Sequence, residues 1–175
     1  MSALRLINET EITSSVSSVD ITDVFSEDFD IYKITMSDSD ASANEQENFR
    51  FINSSGSVIS ASNYDYAKLH PLSYATFSES RATSQTSFYD WKGIGRSTEA
   101  ENGGAIFYIF NPYSSSSYSF ILQQAGYQGT NGFIGAKSIS VLKQTASMTG
   151  FQIFLDASAT IDKIFIRTYG LRVDS

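Results

Sequence analysis

The feature that most limits the fold of this chain is a period of two. In "ENFRFINS", Phe49 and Phe51 fall on one side of an extended backbone, and Arg50 and Ile52 on the other. In "DIYKITMS", Tyr32, Ile34 and Met36 share one side, and Ile31, Lys33 and Thr35 the opposite one. In "GFQIFLDA", Phe151, Ile153 and Leu155 repeat the pattern. Successive side chains of a strand point to opposite faces, so this alternation marks half-buried strands. A helix would need apolar residues at i, i+3, i+4 and i+7, and few windows supply them. The best helical candidate is "DITDVFSEDF" (Asp20 to Phe29), whose acids and serines suit a cap. It predicts one helical turn and no more.

Further strand signals are "ALRLI", "SSVDI", "SVIS" after the turn at Ser54 to Gly56, "YSFILQQ" (Tyr118 to Gln124), "KSISVLKQ" and "IDKIFIRTYGLRVDS". "HPLSYATFSES" and "TSFYDWKGIG" alternate more weakly. "AGYQGTNGFIGA" reads as a flexible glycine-rich loop; no Lys-Ser/Thr pair follows it, so it is no phosphate cradle. Aromatic residues make up 14% of the chain, and they fit a pleated, half-buried surface. Roughly eight to ten short strands at hairpin spacing predict an all-β protein. The expected architecture is a single β-sandwich domain of jelly-roll type over residues 1–175, with two sheets of about four strands each. Residues 1–15 are expected to form an arm packed on a neighbouring subunit.

"GAIFYIF" (Gly104 to Phe110) is apolar on both faces. Such a run predicts a central strand covered on both sides, or one that passes through an oligomer interface. Asn111-Pro112 stops it, because proline has no N–H to give a ladder. The serines of "FNPYSSSSYSF" then form the tip of a hairpin. Their hydroxyls can bond nearby amides and keep the tip polar without charge.

Charge restricts the partners. The net charge is −7, and only 18% of residues are charged. A nucleic-acid binder needs a basic stripe, and an anionic membrane attracts basic segments, so neither is an expected partner. The chain has no cysteine, so disulfides and thiolate metal sites are excluded. "MSALRLINETEI" lacks a basic stretch followed by a long apolar run, and no signal peptide is expected. The glycosylation patterns at Asn8 and Asn53 are therefore read as chance.

Candidate chemistry is sparse. His70 is the single histidine, and no neighbour has metal-ligand spacing. It reads as an ordinary loop histidine before a proline. Acids cluster at Glu27, Asp28 and Asp30, and at Asp38, Asp40, Glu45 and Glu47. The second group begins with the Asp-x-Asp spacing of a calcium loop but lacks the glycine and glutamate that an EF-hand requires. It reads as a solvated acidic loop. No metal and no cofactor are expected. Aromatic rings in loop-like stretches offer candidates for glycan or partner binding: Tyr64, Tyr66, His70 and Tyr74, then Tyr89 and Trp91, then Tyr113 and Tyr118. The competing reading is that these rings cap the core.

Four stretches, "FRFINSSGSVISASNYDYA", "IFNPYSSSSYSF", "VLKQTASMTGFQIF" and "IRTYGLRVDS", resemble small all-β proteins encoded by marine tailed bacteriophages, including those that infect cyanobacteria. The resemblance runs from about Val16 to Ser175 and is weakest between Leu69 and Glu101. It implies a non-enzymatic virion structural protein, assembled in the host cytoplasm. The first expectation is a tail-fibre or receptor-binding module contacting a host-surface glycan or protein. The alternatives are a capsid decoration protein and a carbohydrate-active enzyme of depolymerase type. Other virion proteins and further copies of the chain, as a trimer or ring, are the implied partners.

Overall fold

The computed structural model describes residues 4–95 and 102–171. Among them there is no helix. The strands are β1 (Leu4–Ile12), β2 (Ser18–Ile21), β3 (Ile31–Ala41), β4 (Glu47–Asn53), β5 (Tyr64–His70), β6 (Ser78–Gln85), β7 (Phe88–Tyr89), β8 (Gly103–Phe110), β9 (Ser119–Gly129), β10 (Gly132–Leu142), β11 (Met148–Leu155) and β12 (Ile161–Leu171). They build an 8-stranded sheet in the order β1-β12-β3-β8-β9-β10-β5-β6 and a 4-stranded sheet in the order β2-β11-β4-β7. The pairings are antiparallel throughout. The all-β sandwich expected from the sequence is what the chain forms.

The core lies between the sheets. From the small sheet come Phe49, Phe51, Phe151 and Ile153; from the large one come Tyr32, Ile34, Phe107, Ile109, Ile121, Ile164 and Ile166, all buried. Phe49 links the two layers, stacking on Phe151 at 5.3 Å and on Phe107 at 5.6 Å. Such offset stacks satisfy the ring quadrupoles and add to the burial of area.

Three expectations are corrected. The sheets are unequal rather than four and four. The meander β8–β9–β10, together with β1, widens one sheet well beyond the other. Residues 4–12 form β1, an edge strand of the large sheet, with Leu4 opposite Leu171 and Ile12 opposite Ile164. The segment from Asp20 to Phe29 makes no helical turn. Its start belongs to β2, and the Val24 and Phe25 amides donate to the Thr149 carbonyl in β11, so tertiary bonds replace local ones. The glycine-rich stretch also differs from the reading of a flexible loop. β9 runs to Gly129 and β10 starts at Gly132, leaving a hairpin turn of Thr130 and Asn131. Gly132 has φ 142°, a backbone state that favours glycine.

Candidate interaction surface

The four-stranded sheet covers only one face of the eight-stranded one. On that inner face β8 buries Ala105, Phe107 and Ile109, and β9 buries Ile121 and Gln123. The outer face follows from the register. One row runs Tyr169, Lys33, Tyr108, Leu122, Ile139, Ala67, Arg81 across β12, β3, β8, β9, β10, β5 and β6. The next runs Arg167, Thr35, Ile106, Gln124, Lys137, Leu69, Glu79 across the same strands. On the other side of the first row, Phe110, Phe120, Val141 and Asp65 follow one another.

This face is apolar at its centre and open. Leu69, Ile106, Tyr108, Phe120, Leu122 and Ile139 are each between 38% and 56% exposed. Two adjoining hollows, about 680 and 750 Å³, lie on it. Ala67, Leu122 and Ile139 line both and stand between them. Among the described residues, the only carboxylate lining either hollow is that of Asp65, which is paired with Lys143 at 2.9 Å. "GAIFYIF" is therefore central in its sheet but covered on one side only.

The serine tip performs the local task expected of it. Ser114 Oγ accepts the amides of Ser116 (3.3 Å) and Ser117 (3.2 Å), and Ser117 Oγ donates to the Tyr118 carbonyl at 3.0 Å. The tip is also held from outside, since Met148 N donates to the Pro112 carbonyl at 2.8 Å.

A buried polar cluster fastens the segment from Tyr89 to Gly95 against β4 and β5. Glu47 is almost wholly buried. Its Oε1 accepts the amides of Gly93 (3.2 Å) and Ile94 (3.0 Å), and its Oε2 that of Lys92 (3.2 Å). Burial pushes its carboxyl above the usual range, against the pull of the Ile94 amide and the Lys92 ammonium. Lys68 Nζ donates to the carbonyls of Tyr89 (2.7 Å) and Asp90 (3.2 Å) and pairs with Asp90 Oδ2 at 3.4 Å. Asp90 also pairs with Lys92 at 2.5 Å. Each of these charges is engaged with the fold, an arrangement that positions a loop. A glycosidase needs two carboxyls facing across a cleft, and neither Glu47 nor Asp90 is presented in that way.

The sequence candidates separate in space. Tyr64 and Trp91 have no exposed surface and belong to the core. The Tyr64 hydroxyl accepts the Phe51 amide at 2.9 Å and donates to the Ile59 carbonyl at 3.2 Å. Neither ring can serve as a platform in this fold; packing against the opposite sheet is what holds them. Tyr66 and Tyr89 are half-buried and flank the Lys68 ammonium, at 4.7 and 5.4 Å from their ring centres. Tyr74, Tyr113 and Tyr118 are exposed. Tyr113 and Tyr118 lie on the β8–β9 tip. Tyr74 lies against Gly132, at the opposite end of β9. Strand rise places those ends about 33 Å apart, so the three tyrosines form no common platform. Around Tyr74, however, Phe77 and Phe133 are strongly exposed, and Ser73 Oγ accepts the Phe133 amide at 2.8 Å. Neither phenylalanine was singled out from the sequence.

His70 sits on the inner face of β5, buried. Burial lowers its pKa from the usual 6.5; Asp90 opposes this, and Lys68 and Lys92 reinforce it. The fold thus favours the neutral imidazole. Its contribution to stability is present above the unfolded value and is lost as pH falls from 6.5 through the folded value. Because the chain has one histidine, its NMR titration is a single curve. The midpoint should fall below that of a histidine peptide; a midpoint at or above it would contradict the burial described.

The acidic stretch is a loop only from residue 42 to 46, which holds Glu45; Glu47 opens β4. Asp38 and Asp40 lie in β3, where Asp38 pairs with Lys163 at 2.6 Å and accepts from Asn102, and Asp40 accepts the Ala41 amide. Among the described residues no group of three or more His, Asp and Glu side chains is placed to hold a metal ion.

No protein-family model and no curated protein matches the chain. Solved structures similar to it include one described as Bacillus endospore appendages forming a novel family of disulfide-linked pili. Identity there is 10%, 97% of this chain and 91% of the other are covered, and the TM-score is 0.25. Another is the E230A fructofuranosidase from Schwanniomyces occidentalis complexed with fructosylnystose, at 6% identity, 95% and 34% coverage and a TM-score of 0.20. At these scores neither similarity carries an argument about this chain.

Proposed function

We propose that this chain is a non-enzymatic structural module of a bacteriophage particle, of tail-fibre or receptor-binding type, that acts through surface contact. The observation that supports this reading best is the open apolar face of the large sheet. A water-facing sheet face usually alternates to polar residues. Here it carries isoleucine, leucine, tyrosine and phenylalanine, the side chains of a protein contact surface. The exposed Tyr74, Phe77 and Phe133 at one end supply flat rings of the kind that meet glycans and proteins. The resemblance to marine phage proteins supplies the particle.

The test is adsorption. Fluorescently labelled protein should bind cells of a susceptible host, and unlabelled protein should slow adsorption of the phage. Replacing Tyr74, Phe77 and Phe133 together by serine should abolish that binding while leaving the melting temperature unchanged. Labelling of the head alone, with no effect of free protein on adsorption, would sink the receptor-binding reading and favour decoration of the capsid.

A further inference from the structure

We infer that the outer faces of two copies of this chain pack on one another about a twofold axis, making a homodimer through the large sheets. This rests on the reading of that face as a contact surface and names what covers it.

The size of the face is the first reason. Leu69, Ile106, Tyr108, Phe120, Leu122 and Ile139 form a continuous patch across β8, β9, β10 and β5. Their exposed fractions amount to about 500 Å², at the upper end of what a lone soluble domain shows. A standard interface takes about 800 Å² from each partner. The apolar patch supplies more than half of that, and the polar margin from Lys33 on one side to Arg81 on the other adds to it.

Shape is the second reason. Two hollows of nearly equal volume flank the shared ridge of Leu122 and Ile139. Under a twofold rotation the ridge of one copy enters a hollow of the other, and the reverse contact forms at the same time. A contact of this form is isologous, with the same patch serving both copies. Two faces of this kind pack about 10 Å apart, as the sheets of a sandwich do.

Charge does not oppose the approach. The chain as a whole carries −7. The rows of the outer face nevertheless carry Lys33, Arg81, Lys137 and Arg167 beside Glu9, Asp65 and Glu79, with Arg167 paired to Glu9 at 2.7 Å. The face is thus not acidic, and its margin offers both signs to its own copy.

The experiment is sedimentation of the whole chain across two decades of concentration. The expected result is a reversible monomer–dimer equilibrium. The double variant Leu122→Lys/Ile139→Lys changes only side chains that are exposed in the single chain. It should keep the wild-type melting curve at low concentration and weaken association by about 100-fold or more, because a dry contact would have to bury unpaired ammonium groups. Since the chain has no cysteine, Leu122→Cys introduces a unique thiol. A short bismaleimide should join two such chains, but not two Ser55→Cys chains, whose exposed turn follows β4 of the small sheet. A wild-type chain that stays monomeric throughout, a dimer that survives the double lysine variant, or capture of another partner on this face without self-association would each overturn the inference. Cell adsorption is read separately, so a dimer that binds no host leaves the inference standing and removes the receptor-binding reading.

Discussion

Replacing Glu47 by alanine should lower the unfolding free energy by about 3–5 kcal/mol, as removal of one partner from a buried charged network does. The carboxylate serves the amides of Lys92, Gly93 and Ile94. Without it, two buried donors and the part-buried Lys92 amide lose their acceptor, and each buried unsatisfied group costs about 1–3 kcal/mol unless the segment opens to water. The segment is not free to open without further loss. Ser39 Oγ donates to the Gly93 carbonyl, and Gly95 N donates to the Ser39 carbonyl. Glu47→Gln keeps one carbonyl oxygen for two amides but turns an NH₂ group towards the third. It should therefore lose less, about 1–2 kcal/mol. Urea unfolding followed by fluorescence measures both changes. An alanine variant as stable as the wild type would show that the carboxylate does not hold the segment.

Trp91→Ala should cost a similar amount, about 3–5 kcal/mol, through lost transfer energy and the cavity left behind. The indole is fully buried and meets Phe107 edge-on at 5.1 Å. Gly93 packs so tightly on the ring that a side chain there would collide with it. The Trp91 carbonyl accepts from Gln123 Nε2 at 2.8 Å, which ties the same residue to β9. Trp91 is the single tryptophan, so its emission reports on this site alone. The native spectrum should be blue-shifted and resistant to iodide, and saccharides should leave it unchanged. A red, readily quenched spectrum would put the ring back among the binding candidates.

Much of the fold is legible in the residues because its strands obey simple alternation. Phe49, Phe51, Phe151 and Ile153 announce their shared face, and they form the centre of the core. The limits of β6 and β7 were hard to see because "SESRATSQ" is almost wholly exposed and "FY" is too short to show a period. β9 and β10 ran on through glycines that look like a loop. A glycine carries no side chain to mark a face, and only the hairpin register reveals the continuation. The site was less legible than the fold. Aromatic residues near polar ones suggested platforms at Tyr64 and Trp91, yet burial is set by contacts with distant segments that no local pattern displays. The outer face gave a signal in advance: "GAIFYIF" was apolar on both sides. Its partners Leu122 and Ile139 lie on strands whose pairing the sequence does not print.

The pairing of β1 with β12 carries a kinetic consequence. Strands from opposite ends of the described chain lie side by side, and β3 finds its neighbour on that side only when β12 has arrived. A nascent chain that has not yet reached β12 must therefore wait with unpaired backbone on β3 and without Ile161, Ile164 and Ile166 in its core. Long-range closure of this kind makes folding slow and leaves partly made chains sticky. The arrival of β12 acts as the latch, and a chain cut before Ile161 should aggregate rather than form a smaller version of the same domain.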